Sequence, residues 1–170
     1  MADIMDEISR GVRQVGEQGT LFLIIGAHGN KQGEFCTKSK FTSADIAQAL
    51  RVRTVKFYRL IVFLRACSSK HHREQLVSEL RKSSVAKEHL VISSDSVGKI
   101  TGGWHSYALF RAFFQADLAT TWQEVMRQAS LYSKTLYDNK DGKYENQLGW
   151  DFVGGSMARQ PVMMNDVSCY

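Results

Sequence analysis

Hydrophobic positions along this chain form two alternating patterns: unbroken apolar runs, which are typical of buried strands, and apolar residues at helical spacing. Two unbroken apolar runs, Leu21–Ile25 and Leu60–Leu64, have the pattern of strands covered on both faces in a parallel sheet. A shorter run at Leu90–Ile92 predicts a third strand. Apolar residues at helical spacing predict helices at Ile4–Val15, Thr42–Leu50, His72–Lys82, Tyr107–Phe114 and Thr121–Leu136. The alternation of strands and helices predicts an α/β fold, in a single domain spanning residues 1–170.

Local signals refine this pattern at the helix starts and near the C-terminus. Thr42 and Asp45 have the spacing of a capping box at the start of a helix. The polar, glycine-bearing stretch 138–155 predicts a long loop, and Pro161–Met164 predicts a closing strand. The aromatic residues of the last two helices are expected in the core: Phe110, Phe113, Phe114, Trp122 and Tyr132.

Composition narrows the class of protein. With 170 residues, 44% of them hydrophobic, the chain can bury a substantial core, which excludes a disordered tail or a disulfide miniprotein. Three cysteines at irregular spacings argue against a disulfide framework and against a CxxC zinc site, so a reducing, cytoplasmic location is expected. No apolar segment is long enough to predict a membrane span. Lys and Arg outnumber Asp and Glu by 22 to 17, which gives only weak support to a nucleic-acid partner.

Two of the predicted strands end in side chains able to carry out nucleophilic chemistry. His28 follows the first run and Cys67 follows the second. Since ligands of open parallel sheets bind beyond the carboxyl ends of the strands, we expect this imidazole and this thiol to face one site. An imidazole that takes the thiol proton generates the attacking thiolate. The backbone N–H groups of Gly29 and Cys67 would then form an oxyanion hole.

These segments resemble the caspase and metacaspase family of cysteine peptidases. The resemblance rests on an apolar strand followed by His-Gly, an apolar strand followed by Ala-Cys, the segment Thr101–Phe110, and Gln160–Met163, and it covers most of the chain from about Thr20 to Met164. It implies a three-layer α/β/α fold. It also implies an endopeptidase in which His28 and Cys67 form a catalytic dyad acting on protein or peptide substrates, with neither a metal nor another cofactor.

The resemblance also assigns a substrate pocket and points to a partner. Arg65, two residues before the nucleophile, would line the pocket for the side chain that precedes the cleaved bond, and its guanidinium favours an acidic side chain. Asp95, after the third strand, would either neutralise Arg65 or select a basic side chain. Family members carry two further strands before the His-Gly strand, whereas about 20 residues precede it here, so the domain is reduced at its N-terminal flank. The Leu21–Ile25 strand would then be an uncovered edge, and we expect a second copy or another chain to pair with it.

Several alternatives remain at the level of sequence. One is a catalytically silent, regulatory module of the same fold that pairs with another subunit. A basic nucleic-acid-binding domain is a weaker alternative, supported by charge alone. A metal site built from Cys67, His71 and His72 is disfavoured, because adjacent histidines point apart and a fourth ligand is missing. Cys36 and Cys169 are interpreted as free thiols without a role.

Overall fold

A computed structural model describes residues 2–38, 40–54, 56–94, 100–101, 104–136, 144–145 and 147–162. Within these residues the helices are α1 (Ala2–Gln14), α2 (Ser43–Leu50), α3 (Ser69–Lys82), α4 (Trp104–Gln115) and α5 (Trp122–Leu136). The strands are β1 (Thr20–Gly26), β2 (His28–Gly29), β3 (Glu34–Cys36), β4 (Lys40–Thr42), β5 (Phe57–Arg65), β6 (Ala86–Ser94), β7 (Ile100–Thr101), β8 (Tyr144–Glu145) and β9 (Leu148–Val153). The predicted helices and the predicted apolar strands are all present.

The main sheet has four strands in the order β1-β5-β6-β9. The first three are parallel and β9 runs antiparallel to β6, so the prediction of a mostly parallel sheet is confirmed. A separate antiparallel sheet of β2, β3 and β4 follows β1 directly, and β7 pairs with β8. Because β1 and β5 are parallel and adjacent, the chain leaves both strands at the same edge of the sheet.

Helices cover both faces of the sheet, which makes a three-layer α/β/α arrangement. Alternate residues of β5 point to opposite faces, as the pleat of a strand requires. Leu60, Val62 and Leu64 pack with α1, α2 and α3, whereas Ile61 and Phe63 pack with α4 and α5. The apolar run Leu60–Leu64 of β5 is therefore buried on both of its faces.

A capping box starts α2, as its sequence predicts. The side chain of Thr42 accepts a hydrogen bond from the backbone N–H of Asp45 at 3.3 Å, and the Asp45 carboxylate accepts one from the backbone N–H of Thr42 at 2.7 Å. These two bonds fix the turn from β4 into α2. The turn matters for the site because the same short sheet carries His28.

A buried ion pair joins β5 and β6 to the C-terminal turn. Arg59 donates to Glu88 at 3.3 Å, and both side chains are almost completely buried. The other Glu88 oxygen accepts from the side chain of Gln160 at 2.8 Å and from the backbone N–H of Ser156 at 3.2 Å. With these extra donors the buried carboxylate is well satisfied, and the turn is held against the sheet.

In the C-terminal region the structure corrects the predicted loop and describes only part of the predicted closing strand. The stretch 138–155, predicted as a loop, contains β9, which pairs with β6 over its whole length. Gly149 and Asp151 lower its intrinsic preference for a strand, but the ladder with β6 and the ion pair between Asp151 and Arg73, at 2.9 Å, hold it in place. Pro161 forms only an isolated bridge to Thr121. The rest of the predicted closing strand, residues 163–164, lies outside the described residues.

The aromatic residues of α4 correct a second prediction. Phe114 is 77% exposed and Phe110 is 39% exposed, so neither belongs to the core. α4 instead buries its small residues, Ala108 and Ala112, together with Leu109. Small side chains let the helix approach its neighbours closely, and this places the aromatic side of the same helix in solvent. Of the other expected core aromatics, Trp122 is buried, whereas Phe113 and Tyr132 are partly buried.

Candidate active site

The carboxyl ends of β1 and β5 bring three of the residues singled out by the sequence to one pocket. The register pairs Gly26 with Arg65, and a hydrogen bond of 3.2 Å from the N–H of Ala27 to the carbonyl of Arg65 continues the pairing one step further. Beyond this point the segment after β1 carries His28, and the segment after β5 carries Cys67. Both residues, together with Arg65, line one open pocket of about 530 Å³.

Gly29 is the residue that allows the two strand ends to approach so closely. A Cβ atom at this position would overlap the carbonyl oxygen of Cys67, and it would lie 2.8 Å from Nε2 of His72 and 3.0 Å from Cβ of Ala66. The absence of a side chain therefore serves packing against the Cys67 backbone.

The backbone N–H of Gly29 points away from the neighbouring strand β3. Asn30 donates to the carbonyl of Glu34 at 3.1 Å, which makes Asn30 and Glu34 a hydrogen-bonded pair of the antiparallel ladder. Hydrogen-bonded and non-hydrogen-bonded pairs alternate in such a ladder, so the next pair, Gly29 and Phe35, does not exchange hydrogen bonds. The ladder with β3 therefore does not use this N–H, and its part in an oxyanion hole stays a prediction.

Cys36 lines the same pocket, a position that its interpretation as a thiol without a role did not anticipate. It is paired with His28 across β2 and β3, and paired residues of an antiparallel ladder point their side chains to the same face. It also lines the pocket and is partly exposed. On its other side Cys36 is paired with Lys40, whose ammonium group is bound to Glu34 at 2.9 Å. The sequence signal for these short strands is the alternation of Phe35 and Phe41 with polar neighbours; both phenylalanines are buried, and their rings stack at 4.9 Å.

The turn after Cys67 resembles a sharp strand-to-helix bend. Ser68 has a φ of 56°, in the left-handed region that non-glycine residues seldom adopt. α3 begins at the next residue, Ser69, so Cys67 lies just before a helix N-terminus, where the helix dipole favours a negative charge. Ser69 and Ser94 hold this turn to the end of β6 through a hydroxyl-hydroxyl contact of 2.6 Å and a hydrogen bond of 3.0 Å from the Ser94 N–H to the Ser69 hydroxyl.

Neither of the two adjacent histidines of α3 lines the described pocket. His72 is fully buried and stacks on Phe35, with ring centroids 4.0 Å apart. Burial, together with the nearby His71, lowers the pKa of His72 to about 4, so the ring is neutral at physiological pH. His71 contacts the side-chain amide of Gln75 at 3.2 Å. Within the described ranges, no group of three His, Cys, Asp or Glu residues is arranged to hold a metal ion.

The structure describes only one of the two residues that are expected to set the substrate preference. Arg65 lines the pocket and is exposed. Asp95 lies outside the described residues, which on this strand end with Ser94. The expected competition between Asp95 and Arg65 therefore stays a prediction. Cys169 also lies outside the described residues.

The architecture defines the class of fold: a mostly parallel α/β sheet flanked by helices, of the caspase-like type. It is similar to the crystal structure of caspase-1 from Spodoptera frugiperda, with a TM-score of 0.64 and 12% sequence identity. The aligned region covers 94% of this chain and 69% of that one. At this level of identity the likeness shows the fold. By sequence, no protein-family model and no curated protein matches the chain. In the part of the chain that the structure describes, none of the helices has the length and hydropathy to cross a membrane.

Proposed function

We propose that this chain is a cysteine endopeptidase in which Cys67 is the nucleophile and His28 transfers the protons. The observation that carries the proposal is the shared pocket of these two side chains at the carboxyl ends of adjacent parallel strands. The caspase-like fold supports it, since this fold accommodates such chemistry in the family that the sequence resembles. The close packing of Gly29 on Cys67 also supports it, because the contact fixes the two strand ends relative to each other.

The proposed reaction follows from the groups that line the pocket. His28 accepts the thiol proton of Cys67, and the thiolate attacks the carbonyl carbon of the scissile peptide bond. The negative oxygen of the tetrahedral intermediate is stabilised by the backbone N–H groups of Gly29 and Cys67. The intermediate collapses and the scissile C–N bond breaks as His28 gives its proton to the leaving amine, which leaves the acyl group on Cys67 as a thioester. A water molecule, deprotonated by His28, hydrolyses the thioester and restores the thiol.

The proposed substrates are proteins or peptides with an acidic side chain before the cleaved bond. Arg65 is the charged residue that lines the described pocket, and an arginine recognises a carboxylate through two parallel hydrogen bonds. A basic preference would instead assign this selection to Asp95. A reducing, cytoplasmic compartment suits a reaction that needs free thiols at Cys67 and Cys36.

Among the described residues β1 has a partner strand on one side only, which favours a second candidate function, a regulatory module that pairs with another subunit. This one-sided pairing also adds a part to the first proposal, namely that a further polypeptide strand covers the edge of β1 when the enzyme works. The two functions differ in whether Cys67 reacts selectively, which a direct labelling experiment measures.

The test uses a peptidyl electrophile with Asp, Arg or Asn next to the reactive group, followed by mass spectrometry of the adduct. We expect selective labelling of Cys67, fastest with Asp, and slowed by about 10²–10⁴-fold in His28→Ala. His71→Ala is the matched control, since it removes an imidazole that does not line the pocket. Cys36→Ser separates the two thiols, and it should leave the labelling of Cys67 intact. Equal labelling of Cys36, Cys67 and Cys169 would overturn the peptidase and favour the silent module.

A further inference from the structure

We propose that the partner strand at the edge of β1 is β1 of a second copy of this chain, paired antiparallel about a two-fold axis. The inference rests on the proposal above that a further strand covers this edge. It is tested without reference to peptidase activity.

The backbone of β1 leaves one side without a partner strand in the described residues. β1 is the terminal strand of the main sheet. Arg59 donates to the carbonyl of Gly19, and Ala27 donates to the carbonyl of Arg65, so the odd-numbered residues of this segment bond to β5. In a parallel ladder the intervening residues point their N–H and C=O groups the opposite way. The outward set is Thr20, Phe22, Ile24 and Gly26.

The side chains of β1 do not protect this edge. The strand carries no charged residue, whereas exposed edges are ordinarily blocked by charge, proline or a bulge. Ile24 is 45% exposed. An apolar groove of about 420 Å³ runs between β1 and α1, and Leu21, Leu23, Ile4 and Ile8 are among its lining residues. A strand that is added to this edge finds both hydrogen-bonding groups and an apolar surface.

The sequence of β1 is complementary to itself in an antiparallel register centred on Leu23. In that register Thr20 faces Gly26 of the second copy and Phe22 faces its Ile24, so all outward backbone groups pair with one another. Leu23 faces its own counterpart on the side of the groove. The apolar residues of each copy would then fill the groove of the other.

The charges of α1 favour the same arrangement. A two-fold axis perpendicular to the sheet places both copies of α1 on one face and runs them in opposite directions. The first half of the helix carries the exposed acids Asp6 and Glu7, and the second half carries the exposed bases Arg10 and Arg13. Arg10 pairs with Glu7 within one copy at 3.0 Å, so the contacts between copies would chiefly involve Asp6 and Arg13. Acidic and basic halves therefore face each other, whereas a parallel arrangement would place like charges together.

The first experiment measures the association state by analytical ultracentrifugation across the micromolar range. We expect a concentration-dependent dimer. Ile24→Pro removes only an outward N–H, and Ile24→Lys adds a charge at the edge, so each should weaken the dimer at least tenfold. Val52→Lys is the matched control, because Val52 is a similarly exposed aliphatic residue at 39% and lies outside β1.

The second experiment tests the register by disulfide trapping. Leu23→Cys should give a Cys–Cys link between the two copies under mild oxidation, since facing residues of a non-hydrogen-bonded pair lie ~4.5 Å apart. Leu21→Cys should not, because its counterpart in the other copy is displaced by ~13 Å along the strand. Peptide mapping separates this link from any involving the native cysteines. A monomer throughout the concentration range would refute the pairing of β1 with a second copy. The partner strand would then have to come from a different polypeptide. A dimer unaffected by both Ile24 variants would place the interface elsewhere.

Discussion

Replacing Gly29 by alanine is the most direct test of the geometry of the site. The added Cβ would overlap a backbone atom, the carbonyl oxygen of Cys67, and would approach the stacked ring of His72 to 2.8 Å. Neither neighbour is the free end of a flexible side chain, so the two strand ends must separate. Overpacking of this kind costs about 1–3 kcal/mol, which corresponds to about 2–4 °C in Tm for each kcal/mol in a chain of this size. A displacement of ~1 Å between His28 and Cys67 would also lower the reaction rate by ~10²-fold.

Two measurements check this prediction, and a neighbouring glycine provides the control. The free energy of unfolding is obtained from urea denaturation, and the rate of Cys67 labelling is measured with the peptidyl electrophile. Gly26→Ala is matched, because a Cβ on Gly26 would have no heavy atom within 4 Å. Its free energy of unfolding should change by less than about 0.5 kcal/mol. If Gly29→Ala were as stable as Gly26→Ala and labelled Cys67 at the unchanged rate, the contact between the two strand ends would be refuted.

Three further predictions concern stability. Thr42→Ala removes the N-cap of α2 and should lower the free energy of unfolding by ~1 kcal/mol in urea denaturation, with no change expected if Asp45 alone holds the turn. Glu88→Ala leaves Arg59 buried without its carboxylate and should lower the free energy of unfolding by ~3–5 kcal/mol. The double variant Arg59→Met with Glu88→Leu should lose less stability. A single variant that loses less than the double variant would contradict the burial of the pair. For His72, the unfolded ring titrates near 6.5 and the folded ring has a pKa of about 4, so only the unfolded state binds a proton between these values. Stability should therefore fall by ~3 kcal/mol as the pH is lowered from 6.5 to 4, and a His72→Phe variant with an equally steep fall would contradict this assignment.

The pattern along the chain was sufficient to predict the elements that build the main sheet. Runs such as Leu60–Leu64 carry their information locally, because an apolar residue at every position suits only a strand covered on both faces. Placing His28 and Cys67 at one pocket needed one further rule, that parallel neighbouring strands end at the same edge. The capping box at Thr42 was equally local, since both of its partners lie within three residues.

Other features were decided only when distant segments met. The position of Cys36 beside His28 depends on a ladder between β2 and β3, and the local alternation around Phe35 does not reveal which strand pairs with β3. Gly149 and Asp151 weaken β9 as a strand by propensity, and pairing with β6 overrides this weakness. The aromatic spacing in α4 indicated a buried face, but packing of its small residues turned Phe114 to solvent.

The division has a physical cause. Helix and strand periods are set by contacts within a few residues, so the sequence alone determined which segments would be buried strands and where the imidazole and the thiol would follow them. The close contact of Gly29 with Cys67, the second thiol in the pocket and the open edge of β1 depend on which segments pack together. Which segments pack together depends on the free energies of whole arrangements of the chain. Only the tertiary structure therefore decided these features.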